Sequence, residues 1–192
     1  MKQRFWLWSV LALLGGIGVW QLGNAALIAG KAWLAPILIH QAWDKQIDTG
    51  EQQRPWPWAD FHPGARLTMA RLDIDQFILD DPSARSLAFG PVASGLDNAP
   101  VLFGHRDTHF RFLRDIRKDD LLRLETAGGN VRHYQVTEMI SGNVKDIMLS
   151  PSEDGSQLVL VTCYPFDALL AGGPGRYVVL ASEVIERVSM QH

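Results

Sequence analysis

Short apolar runs separated by turn residues make up most of the chain after residue 60. Runs of this length predict strands rather than long helices. The predicted strands cover residues 66–72, 74–79, 101–104, 121–125, 131–140, 158–163 and 176–185, and residues 82–89 could form a short helix. Many strands without a long helix favour a mainly β fold, either a closed antiparallel barrel or a sandwich.

The pattern before residue 60 is different, because residues 5–30 contain no Asp, Glu, Lys or Arg. A helix of that length exceeds the ~30 Å hydrocarbon core of a bilayer. Lys2 and Arg4 precede the segment and Lys31 follows it, so the positive-inside rule puts the N-terminus in the cytoplasm. We therefore predict a single-pass transmembrane anchor over residues 1–30, with the rest of the chain on the extracytoplasmic side of the cytoplasmic membrane. A cleaved signal peptide, with small residues at positions 24–26, is the alternative.

Residues 31–60 predict a helical segment followed by a linker rich in proline and tryptophan. The second helix is expected over residues 32–43, with Pro36 near its start or at a kink. Residues 48–60 are polar and broken by Pro55 and Pro57, which bias the chain toward extended geometry. We expect Trp56 and Trp58 of this stiff linker to pack on the folded domain, which takes up residues 61–192.

Charge and cysteine content exclude several classes of function. The formal net charge of the whole chain is −3, and only four basic and one acidic residue lie before residue 46, so residues 46–192 carry about −6. That balance argues against nucleic-acid binding, which favours a basic surface. A single cysteine can form neither an intramolecular disulfide nor a multi-thiolate zinc site.

Three residues at the ends of predicted strands could carry chemistry. Cys163 ends an apolar run, His105 follows another, and Arg176 opens a third. A thiol nucleophile needs a proton carrier, which an imidazole supplies, and the oxyanion of acyl transfer needs a donor such as a guanidinium. Each residue also has an ordinary structural role: a buried thiol, a surface histidine and an arginine paired with a carboxylate. The spacing permits the three to meet but does not prove it.

His109 offers a competing interpretation of the same segment. His105 and His109 are four residues apart, and such a pair could bind a metal if the segment were helical. However, no glutamate follows His105 as it does in zinc-protease helices, and Gly104 follows a predicted strand. We therefore expect no metal and no cofactor.

Together, the segments GHRDTHF (104–110), LVTCYPF (160–166) and GRYVV (175–179) resemble the signature segments of sortases. The resemblance extends from about residue 56 to residue 181. The segment WPWAD (56–60) and the continuation DTHF (107–110) are similar to sortases of proteobacteria, which are paired with a dedicated surface-protein substrate. Residues 61–192 would then be the sortase catalytic domain.

The resemblance implies a membrane-anchored cysteine transpeptidase built on a closed eight-stranded β-barrel. By that analogy Cys163 cleaves an LPxTG-like sorting signal through a thioacyl enzyme, and an amine acceptor resolves it. His105 would act as general acid and base, Arg176 would hold the peptide and the oxyanion, and Thr162 would add a donor. The partners would be a surface protein with a C-terminal sorting signal and an amine acceptor.

Two other functions stay open at this point. A cysteine endopeptidase would release the same substrate by hydrolysis, with water in place of the amine. A membrane-tethered β-barrel binding module would need no catalysis, although a scaffold has no need of Cys163, His105 and Arg176 together.

Overall fold

The structure is a computed structural model that describes residues 2–96, 98–148, 152, 154–168 and 172–184. The chain divides into two compact units, residues 1–38 and residues 39–192. The ends of the predicted strand 176–185 and of the predicted domain 61–192 lie outside the described residues. The catalytic candidates all belong to the second unit.

The N-terminal region forms one helix, α1 (Lys2–Thr49), rather than two. The prediction of separate helices over residues 5–30 and 32–43 is wrong on this point, because neither Gly30 nor Lys31 ends the helix. Pro36 lies inside α1 and not near its start; a proline removes one N–H donor, and here the helix continues past it. No helix in the described part of the chain combines the length and the apolar character needed to cross a bilayer.

Eight strands close into a barrel with the order β1-β2-β3-β4-β7-β8-β6-β5. They are β1 (Pro63–Met69), β2 (Ile74–Leu79), β3 (Val92–Ser94), β4 (Val101–Phe103), β5 (Leu121–Thr126), β6 (Val131–Asn143), β7 (Gln157–Cys163) and β8 (Gly175–Glu183). Short 3₁₀ turns cover Ala70–Leu72, Ser86–Ala88 and Arg111–Arg114. The expected mainly β barrel with eight strands and short helices is confirmed.

The barrel is not purely antiparallel, which corrects the expectation from the strand pattern. β2 pairs with β3 in parallel, and so does β4 with β7. Parallel neighbours need a crossover connection, and the chain between β4 and β7 includes β5 and β6. The strand pattern also missed β3, which has only three residues.

The first predicted strand, 66–72, is displaced in the structure. β1 begins at Pro63 and ends at Met69, after which the chain turns at Asp73 with a left-handed φ of 52°. Continued alternation over 66–72 would place Arg71 on the same face as Leu67 and Met69, but β1 ends before it. Its guanidinium instead binds Asp120 at 2.5 and 2.6 Å.

The side chains inside the barrel form its core, and β7 is buried on both of its faces. The inner set includes Leu67, Met69, Leu102, Leu122, Leu124, Tyr134, Leu158, Leu160 and Val179, each at most 2% exposed. Val159 and Val161 point the other way and pack against Val178 in a second cluster. Because both faces of β7 are covered, its sequence is a continuous apolar run, and the position of its last residue, Cys163, is firmly set.

The linker that precedes β1 packs into an aromatic cluster through Trp56. Trp56 packs edge-on against Phe61 and Phe89, with ring centroids 5.4 and 5.2 Å apart. Trp58, in contrast, is 79% exposed. The expectation that the linker tryptophans pack on the domain is therefore right for Trp56 and wrong for Trp58.

Candidate active site

The ends of β4 and β7 bring the segment of His105 beside the segment of Cys163. The two strands run parallel with Phe103 opposite Val161, and the Gly104 N–H donates to the Val161 carbonyl at 3.2 Å. The hydroxyl of Thr162, a residue that is 2% exposed, donates to the Gly104 carbonyl at 2.7 Å. His105 and Cys163 therefore follow two hydrogen-bonded neighbours at the same end of the sheet.

Gly104 is required at this position by the close approach of an aromatic ring. A Cβ on Gly104 would collide with the ring of Phe110, which is fully buried in the barrel core. The Phe110 N–H also donates to the His105 carbonyl at 2.9 Å. Since any larger residue would displace Phe110, the glycine allows the chain to turn out of the core directly before the exposed His105.

Arg176 lies opposite Cys163 in the antiparallel pair of β7 and β8. Residues directly opposite each other in such a pair project from the same face of the sheet. Nη1 of Arg176 donates to the carbonyls of Gly173 at 2.7 Å and Gly175 at 2.8 Å. The guanidinium thus orders the turn that enters β8, on the side of the sheet that carries the thiol.

A cavity of about 390 Å³ opens beside the thiol. Its lining includes Cys163, Arg106, Tyr164, Pro165, Ala168, residues 141–143 at the end of β6, and residues 173–175 before β8. Among the described residues, the lining includes neither His105 nor Arg176. Their neighbours in sequence, Arg106 and Gly175, do line it, so a chain bound in the cavity would reach the thiol between these two segments.

His105 and His109 lie close together but differ in exposure. Their ring centroids are 6.1 Å apart, with the ring planes inclined by 30°. His105 is exposed, whereas His109 is half-buried and its Nδ1 is buried with no hydrogen-bond partner in the described part of the chain. Burial lowers the pKa of His109, and the charge of His105 lowers it further. His109 therefore stays neutral under conditions where an exposed imidazole takes up a proton.

The metal hypothesis for this histidine pair lacks further ligands. Among the described residues, no group of three or more His, Cys, Asp or Glu side chains is arranged to hold a metal ion. Gln76 donates from Nε2 to the His109 carbonyl at 2.7 Å and so fixes the segment from the barrel side. The geometry is that of a structural histidine beside an accessible one.

Arg106 is a member of the site that the sequence did not single out. Its side chain is only 5% exposed, and Nη1 donates to the Pro165 carbonyl at 2.6 Å while Nη2 donates to the Ala168 carbonyl at 2.9 Å. Nε binds Asp107 at 2.8 Å, and this bond holds the pKa of the Asp107 carboxyl below its usual range. The only signal for Arg106 in the sequence is its position next to His105. That position does not predict that its side chain is buried.

Three aromatic rings pack together next to the site, two from the segment after Cys163 (Tyr164 and Phe166) and one from β8 (Tyr177). Tyr177 stacks on Tyr164 with centroids 6.0 Å apart and meets Phe166 edge-on at 5.1 Å. Burial raises the pKa of Tyr177, and the neighbouring Tyr164 adds to that effect. Aromatic pairs of this kind contribute about 0.5–1.5 kcal/mol each beyond their buried area. They hold the chain after Cys163 against the first residues of β8.

Comparison with known proteins identifies the family of this arrangement. A model of the sortase domain matches residues 67–184. Sortase D of Bacillus subtilis (strain 168) is 33% identical over 84 residues, which make up 44% of this chain and 42% of that protein. The matched region thus spans less than half the length of this curated relative.

Solved sortase structures share the fold, and two of them illustrate the likeness. Sortase A from Corynebacterium diphtheriae superposes with a TM-score of 0.57 at 22% identity, covering 69% of this chain and 65% of that one. A sortase D5 transpeptidase of Clostridium perfringens superposes with a TM-score of 0.54 at 18% identity, covering 73% and 88%. At these identities the likeness concerns the fold alone.

Proposed function

Because this chain belongs to the sortase family, we propose that it is a cysteine transpeptidase in which Cys163 is the nucleophile. One observation carries the proposal: Gly104 is hydrogen-bonded to Val161 and Thr162, next to the pair formed by Cys163 and Arg176. This register supports a common site for the thiol, the imidazole and the guanidinium.

The proposed reaction has two acyl transfers. The Cys163 thiolate attacks the carbonyl carbon of the scissile peptide bond, a carbon–sulfur bond forms, and the carbon–nitrogen bond breaks as His105 gives its proton to the departing amine. The nitrogen of an acceptor amine then attacks the thioester carbon and passes its proton to His105. The carbon–sulfur bond breaks, the thiolate returns, and a new amide bond joins the acyl group to the acceptor.

Arg176 and Thr162 have different geometries for supporting this reaction. Arg176 projects from the same face as Cys163, which supports a role in holding the bound peptide and the developing oxyanion. The hydroxyl of Thr162 is bound to the Gly104 carbonyl. That bond supports a structural link between β4 and β7, and it occupies the one proton of the hydroxyl, so a donor role toward the oxyanion requires this bond to break.

The substrate we propose is a surface protein with a C-terminal LPxTG-like sorting signal, and the second substrate is an amine. The cavity of about 390 Å³ next to Cys163 is large enough for several side chains of such a peptide. The acidic balance of residues 46–192 agrees with a protein partner rather than a nucleic acid.

The proposal includes attachment to the cytoplasmic membrane, with the barrel on the extracytoplasmic side. Its support is the sequence alone, namely the uncharged residues 5–30 with basic residues on both sides. Fractionation of cells that express the full chain tests this part. Recovery of the protein in the soluble fraction without processing would contradict it.

The activity is tested with a fluorogenic peptide that contains LPETG, and with variants of that motif, in the presence of triglycine. We expect the parent to cleave at least one peptide and to yield the triglycine adduct, with a thioacyl intermediate detected by mass spectrometry. Cys163→Ala should fold, melt like the parent and show no turnover. Cleavage by Cys163→Ala, or no Cys163-dependent cleavage of any such peptide, would contradict the transpeptidase function. If only the hydrolysed product forms at saturating triglycine, the result would favour the endopeptidase.

A further inference from the structure

A buried arginine next to the thiol has a structural consequence of its own. Burying a guanidinium is unfavourable unless its donors are satisfied. Arg106 meets that requirement with the carboxylate of Asp107 and with two backbone carbonyls, those of Pro165 and Ala168, which belong to the segment directly after Cys163. The arginine itself follows His105. One side chain therefore ties the histidine segment to the segment that follows the nucleophile.

The segment Tyr164–Ala168 forms one side of the cavity. Tyr164, Pro165 and Ala168 all line it together with Cys163 and Arg106. Its beginning is held by β8, because the Tyr164 N–H donates to the Gly175 carbonyl at 3.0 Å. Its far end, at Ala168, is held by Arg106. We call this segment the cavity wall.

We propose that Arg106 is a positioning residue that holds the cavity wall in place, and that the held wall favours resolution of the thioester by an amine over hydrolysis. The second part rests on the proposed function. A charged donor with two carbonyl acceptors forms stronger hydrogen bonds than a neutral one, so its loss releases the end of the wall at Ala168.

The chemistry connects wall position to the outcome of the reaction. The thioester carbon accepts either an amine nitrogen, which forms an amide, or a water oxygen, which forms a carboxylate. In both cases the carbon–sulfur bond breaks and the thiolate of Cys163 is restored. An amine must be held next to the thioester, whereas water needs only access. If the wall is released, the amine loses contacts and water reaches the thioester more easily. A larger share of the thioester is then hydrolysed rather than transferred to the amine.

The first experiment needs no substrate, because the chain has a single cysteine. The rate of Cys163 alkylation is measured with iodoacetamide, which is small, and with fluorescein maleimide, which is bulky. The ratio of the bulky rate to the small rate reports access to the thiol rather than its reactivity. The proteins are the full-length parent, Arg106→Met, Arg106→Lys and the control Arg71→Met.

Arg71 is the control for the loss of an arginine fork: its own side chain is 36% exposed, against 5% for Arg106, but its partner Asp120 is buried. Its guanidinium also binds one carboxylate, that of Asp120, and one backbone carbonyl, that of Asp115 at 2.7 Å. Arg71 does not belong to the cavity lining among the described residues. General destabilisation therefore affects Arg71→Met as well, while release of the wall affects only the Arg106 variants.

We expect the alkylation ratio to rise about tenfold in Arg106→Met, because the open wall takes a larger share of the population. Arg106→Lys keeps a charged donor but not the planar fork, so its ratio should lie between those of Arg106→Met and the parent. The ratio of Arg71→Met should equal that of the parent.

Thermal melts of all variants verify folding at the assay temperature. If Arg106→Met does not fold, Arg106→Lys is measured in its place. A ratio in the Arg106 variants within about twofold of the parent would overturn the role of Arg106 in holding the wall.

The second experiment measures partition of the thioacyl enzyme with the LPETG peptide and triglycine. The ratio of hydrolysed to transferred product does not depend on the amount of folded enzyme. We expect this ratio to rise about tenfold in Arg106→Met and to stay at the parent value in Arg71→Met. If the parent transfers the peptide and Arg106→Met keeps the same ratio, the link between the wall and the choice of acceptor is refuted. If the parent shows no Cys163-dependent cleavage, the proposed function fails instead, and the alkylation ratio still decides the role of Arg106.

Discussion

Replacing Thr162 with valine tests whether the hydrogen bond between β4 and β7 supports the active site. Valine has nearly the shape of threonine but lacks the hydroxyl, so the Gly104 carbonyl loses its donor at 2.7 Å. Thr162 is 2% exposed, and water cannot readily replace that donor. Leaving a buried acceptor unpaired costs about 1–3 kcal/mol in the free energy of unfolding. For a chain of this size, that cost corresponds to a fall of roughly 2–12 °C in Tm.

The assay combines thermal unfolding, followed by circular dichroism, with steady-state cleavage of the LPETG peptide. A shift between the segments of His105 and Cys163 should lower kcat/KM by about ten- to a hundredfold, because the geometry of the reacting groups changes. The control is Thr137→Val, since the Thr137 hydroxyl also donates to a strand carbonyl, that of Leu180 at 3.1 Å, but is exposed. Its stability should stay within about 0.5 kcal/mol of the parent.

The outcomes for Thr162→Val separate its two roles. A variant with reduced Tm and reduced activity supports the link between the strands. A variant with the Tm of the parent and reduced activity would refute that reasoning and favour Thr162 as a donor to the oxyanion. A variant equal to the parent in both measurements would refute both roles.

Further substitutions test the remaining assignments. His105→Ala should lower kcat by roughly 10²–10⁴-fold and His109→Ala by much less, whereas the reverse order, or stoichiometric zinc in the purified protein, would favour a metal site. Arg176→Lys should lower kcat/KM by about 10²–10³-fold, since lysine lacks the planar fork, and a value within about threefold of the parent would remove the directional role. Arg71 holds the pKa of the Asp120 carboxyl below its usual range, so this ion pair stabilises the fold above the ordinary carboxyl pKa and is lost as pH falls through the lowered value. Acid unfolding of Asp120→Asn should therefore show a weaker pH dependence than that of the parent, and equal profiles would contradict this coupling.

Local patterns in the sequence were sufficient for most of the strands. β2 was predicted with its observed bounds, Ile74–Leu79, and β7 was predicted to within one residue. β7 is clear because it is covered on both faces and reads as one apolar run. Burial along β2 is not regular, and its start follows the turn at Asp73. β3 was missed because its sequence, VAS, contains no run of large apolar residues, whereas β4, also three residues long, reads VLF. The end of β1 was misplaced because Arg71 pairs with Asp120, which is 49 residues away along the chain.

The same division holds for the candidate site. The sequence determined that Cys163, His105 and Arg176 lie at ends of strands, since strand ends follow from local apolar runs and glycines. Only the tertiary structure decided that the ends of β4 and β7 are neighbours in parallel, that Arg176 lies opposite Cys163, and that Arg106 is buried. The physical reason is that periodicity reports which side of a strand is buried, whereas strand partners depend on contacts between residues far apart in the chain. Arg106 shows this most directly, because its acceptors, the Pro165 and Ala168 carbonyls, are 59 and 62 residues away along the chain.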